Sequence, residues 1–159
     1  EIIWCRPKVN IFGRKSSIPR LSAWHGDNSY TYSGIKMVPA LWTPTLTLLK
    51  DKAESITGRT YNSVLLNFYR DGYDNIAWHS DNEPELGPNP SIASITLGDE
   101  RKFEFRHKKN FKKKISISLP DGSLLFMGGE TQKNWQHRLP KTRKQILPRI
   151  NLTFRLIHF

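Results

Sequence analysis

A histidine and an aspartate two residues apart, in Trp78-His79-Ser80-Asp81, have a spacing that suits a metal ion. Residues two apart in an extended strand point to the same side, so both side chains can reach one cation. A distal histidine would complete two nitrogens and one carboxylate on a single face, the ligand set that leaves open positions on a non-haem iron. The other histidines are His25, His107, His137 and His158, and spacing does not choose among them. His-x-Asp also arises often by chance, and a lone strand histidine is more commonly structural.

The C-terminal strand adds a second constellation. In Arg149-Ile-Asn151-Leu-Thr153-Phe-Arg155, alternation puts Arg149, Asn151, Thr153 and Arg155 on one face and the apolar residues on the other. Two guanidinium groups on one side of a sheet repel each other unless an anion lies between them. A dicarboxylate fits, because each carboxylate can take one guanidinium as a two-toothed pair. The plainer alternative is an exposed edge with two surface arginines. Asn67-Phe-Tyr69 offers another polar pair on one face, an amide and a phenol able to donate to a bound acid.

These residues need a scaffold. With 159 residues, 37% hydrophobic and 25% charged, the chain suits one folded domain over residues 1–159. No apolar stretch is long enough to cross a bilayer as a helix. Cys5 has no partner for an internal disulfide, which predicts a reducing, intracellular setting. In a eukaryote that setting would be the nucleus, in a bacterium the cytoplasm. The chain opens on Glu1 without a visible signal peptide, as expected of a piece cut from a longer protein.

Residues 1–43 read as short strands and loops, with a strand at Tyr30-Thr-Tyr32. Residues 45–57 carry a helical stripe of Leu46, Leu49, Ala53 and Ile56, capped by Thr43 or Thr45 and stopped by Gly58. Short β segments follow at 61–70, 75–80, 91–98, 101–107, 115–119, 123–127, 133–138 and 149–158, separated by turn signals. The pattern predicts a mainly β sandwich or jelly roll with minor α. Residues 108–114 read as a mobile hairpin tip.

The formal net charge is +11. Eight basic residues lie between Arg101 and Lys114 against the single acid Glu104, and a second cluster runs from Arg138 to Arg149 without an acid. Each could be a solvated face. Two such stretches beside aromatic segments also fit a nucleic-acid surface.

With Asn67-x-Tyr69, His79-x-Asp81, His137 and RINLTFR in this order, the chain resembles the AlkB-type Fe(II)/2-oxoglutarate-dependent dioxygenases, over residues 18–157. The resemblance is nearest to the family's DNA-repair, double-strand-acting branch. It implies a double-stranded β-helix core over about 60–158 and a substrate-recognition lid over about 1–43. It makes His79, Asp81 and His137 the Fe(II) ligands. Arg149, with Asn151 and Tyr69, would hold the distal carboxylate of 2-oxoglutarate, and Arg155 and Asn67 would lie near its metal-bound end. O2 is the co-substrate. The implied reaction oxidises an N-methyl group on a base such as 1-methyladenine or 3-methylcytosine and releases formaldehyde, while 2-oxoglutarate becomes succinate and CO2.

Substrate residues follow from the same resemblance. An alkylated base must leave the helix to reach a buried iron, so a stacking pocket is needed. Trp78, Tyr30 and Tyr32 are candidates for it, although each ring could equally belong to the core. Glu83 matches an acid near the base's polar edge, whereas Asn82 stands where relatives often carry aspartate, which puts that contact in doubt. Phe12, in Ile11-Phe12-Gly13-Arg14, matches a ring that replaces the flipped base in a duplex. It could also be a buried loop anchor. Arg20 matches a position close to the lesion, and Arg106, Lys113, Arg143 and Lys144 match phosphate contacts, which position without reading sequence. The expected partner is alkylated duplex DNA, bound by a monomer with no membrane attachment. RNA or single-stranded DNA as substrate, a non-catalytic damage-binding module, and a metal-binding β-barrel with unrelated chemistry are the alternatives.

Overall fold

The computed structural model describes residues 1–6, 8–11, 14–27, 30–32 and 35–158, and the side chains of 1–6, 17–27 and 38–158. Phe12 lies outside the described residues, as do the side chains of Tyr30 and Tyr32.

Among the described residues, thirteen strands and two α-helices follow in order, with a single 3-10 turn at Pro84–Leu86. They are β1 (Lys8–Ile11), β2 (Arg14–Ser17), β3 (Leu21–Gly26), β4 (Tyr30–Tyr32), β5 (Ile35–Met37), α1 (Pro44–Thr57), β6 (Ser63–Tyr69) and β7 (Ile76–His79). Then come β8 (Ile92–Gly98), β9 (Arg101–His107), β10 (Asn110–Leu119), β11 (Leu124–Met127), α2 (Thr131–Asn134), β12 (Trp135–Leu139) and β13 (Arg149–Arg155). A five-stranded sheet runs β11-β8-β13-β6-β3 and a four-stranded sheet runs β10-β9-β12-β7. All named pairings are antiparallel, giving the predicted jelly roll.

Helix α1 forms where its signals place it. The Thr43 hydroxyl accepts the Leu46 amide at 3.2 Å, Pro44 opens the first turn, and Gly58 closes the helix at φ 64°. Leu46 and Ala53 pack against the outer face of the large sheet with Val64, Leu66, Ala93, Ile95, Leu152 and Phe154. Ile56 was expected in that stripe but is 69% exposed and takes no part in the cluster under the helix.

Between the sheets lies a second core of Tyr69, Ile92, Phe103, Phe105, Leu119, Met127 and Leu139. The inner face of the large sheet is unusual for a core. Asn67, Ser94, Thr96, Arg149, Asn151, Thr153 and Arg155 are all buried there. Burying polar groups costs free energy unless partners satisfy them, so this face implies a polar ligand or a dense network. Both faces of β13 are therefore interior: the apolar set lies under α1 and the charged set between the sheets.

Three expectations change. Residues 21–26 are not lid but an edge strand of the large sheet, since β3 pairs with β6 along its length. The strand expected over 133–138 begins as the short helix α2. The segment 110–114 continues β10, with a register shift between Asn110 and Lys114 where it faces β9, so the hairpin turn is confined to 108–109.

Candidate active site

Strands β7 and β12 are neighbours, and His79 and His137 are direct cross-strand partners. Their ring centroids are 4.2 Å apart at an interplanar angle of 63°. His79 Nδ1 lies 2.8 Å from the carbonyl oxygen of Ala77, which makes Nδ1 the protonated nitrogen and leaves the Nε2 lone pair free. Nε2 stands 3.6 Å from Asp81 Oδ1. The His137 ring stacks on Phe103 at 5.4 Å, and its buried Nδ1 has no hydrogen-bond partner among the described residues.

Asp81 follows the end of β7 and is 1% exposed. Arg155 donates to its Oδ2 through Nη2 at 2.7 Å and Nε at 3.3 Å, while the buried Oδ1 has no hydrogen-bond partner among the described residues. The ligand atoms of His79, Asp81 and His137 lie within 4.8 Å of one another. One ligand atom from each of these three side chains, with Asp81 Oδ1 a buried acceptor lacking a hydrogen-bond partner among the described residues, fits a divalent cation.

Charge states suit that role. Burial by itself would raise the Asp81 carboxyl, but the Arg155 guanidinium, with His137 and His79, holds it at about 2. Burial pushes His137 down to about 3, with the neighbouring His79 acting in the same direction against the pull of Asp81. The site thus offers a carboxylate and neutral imidazoles at neutral pH, with little proton competition. A stability consequence follows for the metal-free protein. The unfolded His137 titrates near 6.5, so between about pH 6.5 and 3 the unfolded chain binds a proton that the native chain refuses. Stability falls as pH drops through that window, by up to about 1.4 kcal/mol per unit for this one proton. Asp81 adds the same sign lower down, its contribution being lost as pH falls towards about 2. Urea unfolding at pH 7, 5 and 4 reads the slope, and His137→Gln is expected to flatten it; an unchanged slope would contradict the assignment.

A narrow cavity opens beside these atoms, walled by Asn67, Tyr69, Asn151, Thr153 and Arg155 along with the metal-site residues. Asn151 donates to Ser94 Oγ at 2.7 Å and to the Ile95 carbonyl at 3.0 Å, and its Oδ1 accepts the Thr153 hydroxyl at 2.9 Å. Asn67 Oδ1 accepts Arg20 Nε at 2.7 Å. Arg20, expected near the lesion, is therefore buried behind the cavity wall and also donates to the Asn75 carbonyl. Arg149 does not line the cavity. It is fully buried against Tyr69, 5.4 Å from that ring's centroid, and donates to Thr96 Oγ1 at 2.8 Å.

Other expected residues are not brought to the cavity. Trp78 alternates with His79 and so faces outward, held between Arg106 and Arg138, each 4.5 Å from its ring centroid. This geometry makes it a support for two basic side chains. Arg106 also donates to Gln136 Oε1 at 2.8 Å and lies over Phe111. Lys113 sits over Trp135 at 5.3 Å, and Arg143 and Lys144 are exposed on the loop before β13. Glu83 is half-buried outside the cavity wall.

Sequence reasoning missed Arg101, Gln132, Met127 and Phe103. Arg101 was counted as surface charge, yet it is 3% exposed and donates to the carbonyls of Asp71, Asp74 and Pro140. It ties the turn after β6 to the start of the loop carrying Arg143 and Lys144, where Thr142 N–H also donates to the Gly72 carbonyl at 2.9 Å. No local signal separates such an arginine from its exposed neighbours.

The 2OG-Fe(II) oxygenase superfamily model matches residues 3–155. The chain belongs to this superfamily. It is of the AlkB type: it is 47% identical over 149 residues to mouse alpha-ketoglutarate-dependent dioxygenase alkB homolog 3, covering 88% of this chain and 52% of that protein. It is 42% identical over 159 residues to mouse DNA oxidative demethylase ALKBH2, covering 94% and 66%. The solved structure of OsALKBH1 superposes with a TM-score of 0.63 at 18% identity, over 95% of this chain and 80% of that one, which supports the fold. The chain spans about half the length of the alkB homolog 3 relatives it matches. Superfamily membership implies Fe(II) and 2-oxoglutarate as cofactors, and His79, Asp81 and His137 fit the metal.

Proposed function

We propose that the chain repairs N-alkylated bases, of the 1-methyladenine and 3-methylcytosine type, in duplex DNA. The carrying observation is the convergence of His79, Asp81 and His137, whose ligand atoms lie within 4.8 Å of one another, with Asp81 Oδ1 a buried acceptor lacking a hydrogen-bond partner among the described residues. The relatives' names, a DNA oxidative demethylase and an alpha-ketoglutarate-dependent dioxygenase, support the reaction class. With Fe(II) and 2-oxoglutarate bound, the centre supplies oxidation by O2, which turns an N-methyl group into a hydroxymethyl group that leaves as formaldehyde, with succinate and CO2 as co-products.

The chain's residues do the rest. His79, Asp81 and His137 would hold the metal. Arg155 keeps Asp81 ionised and oriented through its bond to Oδ2. Tyr69 and Asn151 in the cavity wall, with Arg149 buried against Tyr69, would anchor the distal carboxylate of 2-oxoglutarate, and Asn67, fixed by Arg20, closes the wall. Lys113, Arg143 and Lys144 lie in basic stretches that suit a phosphate backbone. The protein acts as an intracellular monomer, nuclear in a eukaryote.

A panel of 1-methyladenine in duplex DNA, single-stranded DNA and RNA tests the reading. Formaldehyde and succinate release is expected, dependent on Fe(II) and 2-oxoglutarate and fastest on the duplex. Phe12→Ala is expected to slow the duplex about tenfold, some 1.4 kcal/mol, and to spare single strands. Equal effects on both would assign single strands or RNA as substrate. Tight lesion binding without 2-oxoglutarate turnover would replace the enzyme by a damage-binding module.

A further inference from the structure

Asp81 stands just beyond the last residue of β7, where no sheet partner remains for its backbone amide. A buried amide left unpaired is unfavourable, so something else must accept it. That acceptor is the side chain of Gln132, whose Oε1 lies 2.9 Å from Asp81 N. Gln132 is 1% exposed and sits in α2, the four-residue helix that leads from the end of β11 into β12.

The rest of its amide is committed as well. Nε2 donates to Met127 Sδ at 3.7 Å, and Met127 lines the cavity. The backbone carbonyl of Gln132 accepts Lys108 Nζ at 2.7 Å from the turn of the β9–β10 hairpin. An amide flipped the other way would turn an N–H towards the Asp81 amide, so this network fixes one orientation. Asp81 is thus held twice, with Arg155 gripping Oδ2 and Gln132 gripping the backbone, and these two grips leave Oδ1 facing the histidines.

We propose that Gln132 is a positioning residue for the metal-binding carboxylate, fixing where Asp81 Oδ1 stands through one hydrogen bond to the Asp81 amide. The inference rests on the reading of His79, Asp81 and His137 as the metal site. Partners of this kind change metal affinity by about 10- to 100-fold when removed.

The test is Co(II) titration of the metal-free, full-length protein, followed by calorimetry and by the visible absorption of the bound ion. Gln132→Met keeps the volume and loses the acceptor, and is expected to weaken Co(II) binding about tenfold or more and to alter the absorption. Gln132→Glu restores an acceptor oxygen and is expected to bind within about threefold of the parent. A packing role alone would lower the melting temperature in Gln132→Met while leaving Co(II) affinity and absorption unchanged in the folded variant, and that result overturns the proposal. Should Gln132→Met not fold, Gln132→Asn, one methylene too short to reach, carries the same comparison. Absence of Co(II) binding in the parent would overturn the metal site itself, a result distinct from parent and variant binding equally.

Discussion

Asp81→Ala is expected to abolish metal binding and, separately, to destabilise the metal-free protein by about 3–5 kcal/mol. Two roles meet in this carboxylate. Oδ1 is the orphaned acceptor facing His79, while Oδ2 is the partner of the Arg155 guanidinium, whose side chain is only 3% exposed. Deleting one member of a buried ion pair leaves the other charge without compensation, and that desolvation penalty sets the size of the effect. The double variant Asp81→Ala, Arg155→Met is therefore expected to regain much of the lost stability while binding no metal. Denaturant unfolding of the metal-free forms gives the first quantity and Co(II) titration the second. Full turnover by metal-loaded Asp81→Ala would refute the assigned site.

Arg149→Met has the opposite sign in the metal-free protein. Arg149 is buried, its Nε has no hydrogen-bond partner among the described residues, and its Nη2 donates to the Thr96 hydroxyl. Burial pushes its guanidinium down to about 10, with Tyr69 opposing that shift and Arg101 adding to it. An uncompensated buried cation is a cost that the empty fold carries for its ligand. Replacing it by an apolar side chain of similar length is expected to leave stability unchanged or raise it by about 1–4 kcal/mol. The affinity for 2-oxoglutarate is expected to fall by about 2–5 kcal/mol, roughly 30-fold or more, because the dicarboxylate loses its charge partner. Isothermal titration with 2-oxoglutarate on the metal-loaded protein measures the loss. Undiminished binding would move the carboxylate anchor to Arg155.

Both effects trace to the same strand, and it shows how far the sequence carries. Period-two alternation in RINLTFR put Arg149, Asn151, Thr153 and Arg155 on one side, because pleating alternates side chains regardless of context. The same rule paired His79 with Asp81 and assembled Asn67 with Tyr69. Helix α1 was legible from its cap, its proline and its glycine, all local signals. Alternation likewise put Trp78 on the face opposite His79, where it packs between Arg106 and Arg138.

Tertiary structure decided the rest. Spacing along the chain did not choose His137 among the histidines; the family resemblance named it, and the cross-strand register of β7 and β12 is what brings it beside His79. Arg155 turned out to grip Asp81, and Arg20 to grip Asn67, across 74 and 47 residues of sequence. Arg101 and Arg106 read alike within one basic run, yet one is buried on three carbonyls and the other packs over two aromatic rings. Short-range periodicity fixes which way a side chain points within its strand. Which strands face one another is set by long-range pairing, and that pairing turned a His-x-Asp pair and two arginines into one metal-binding interior.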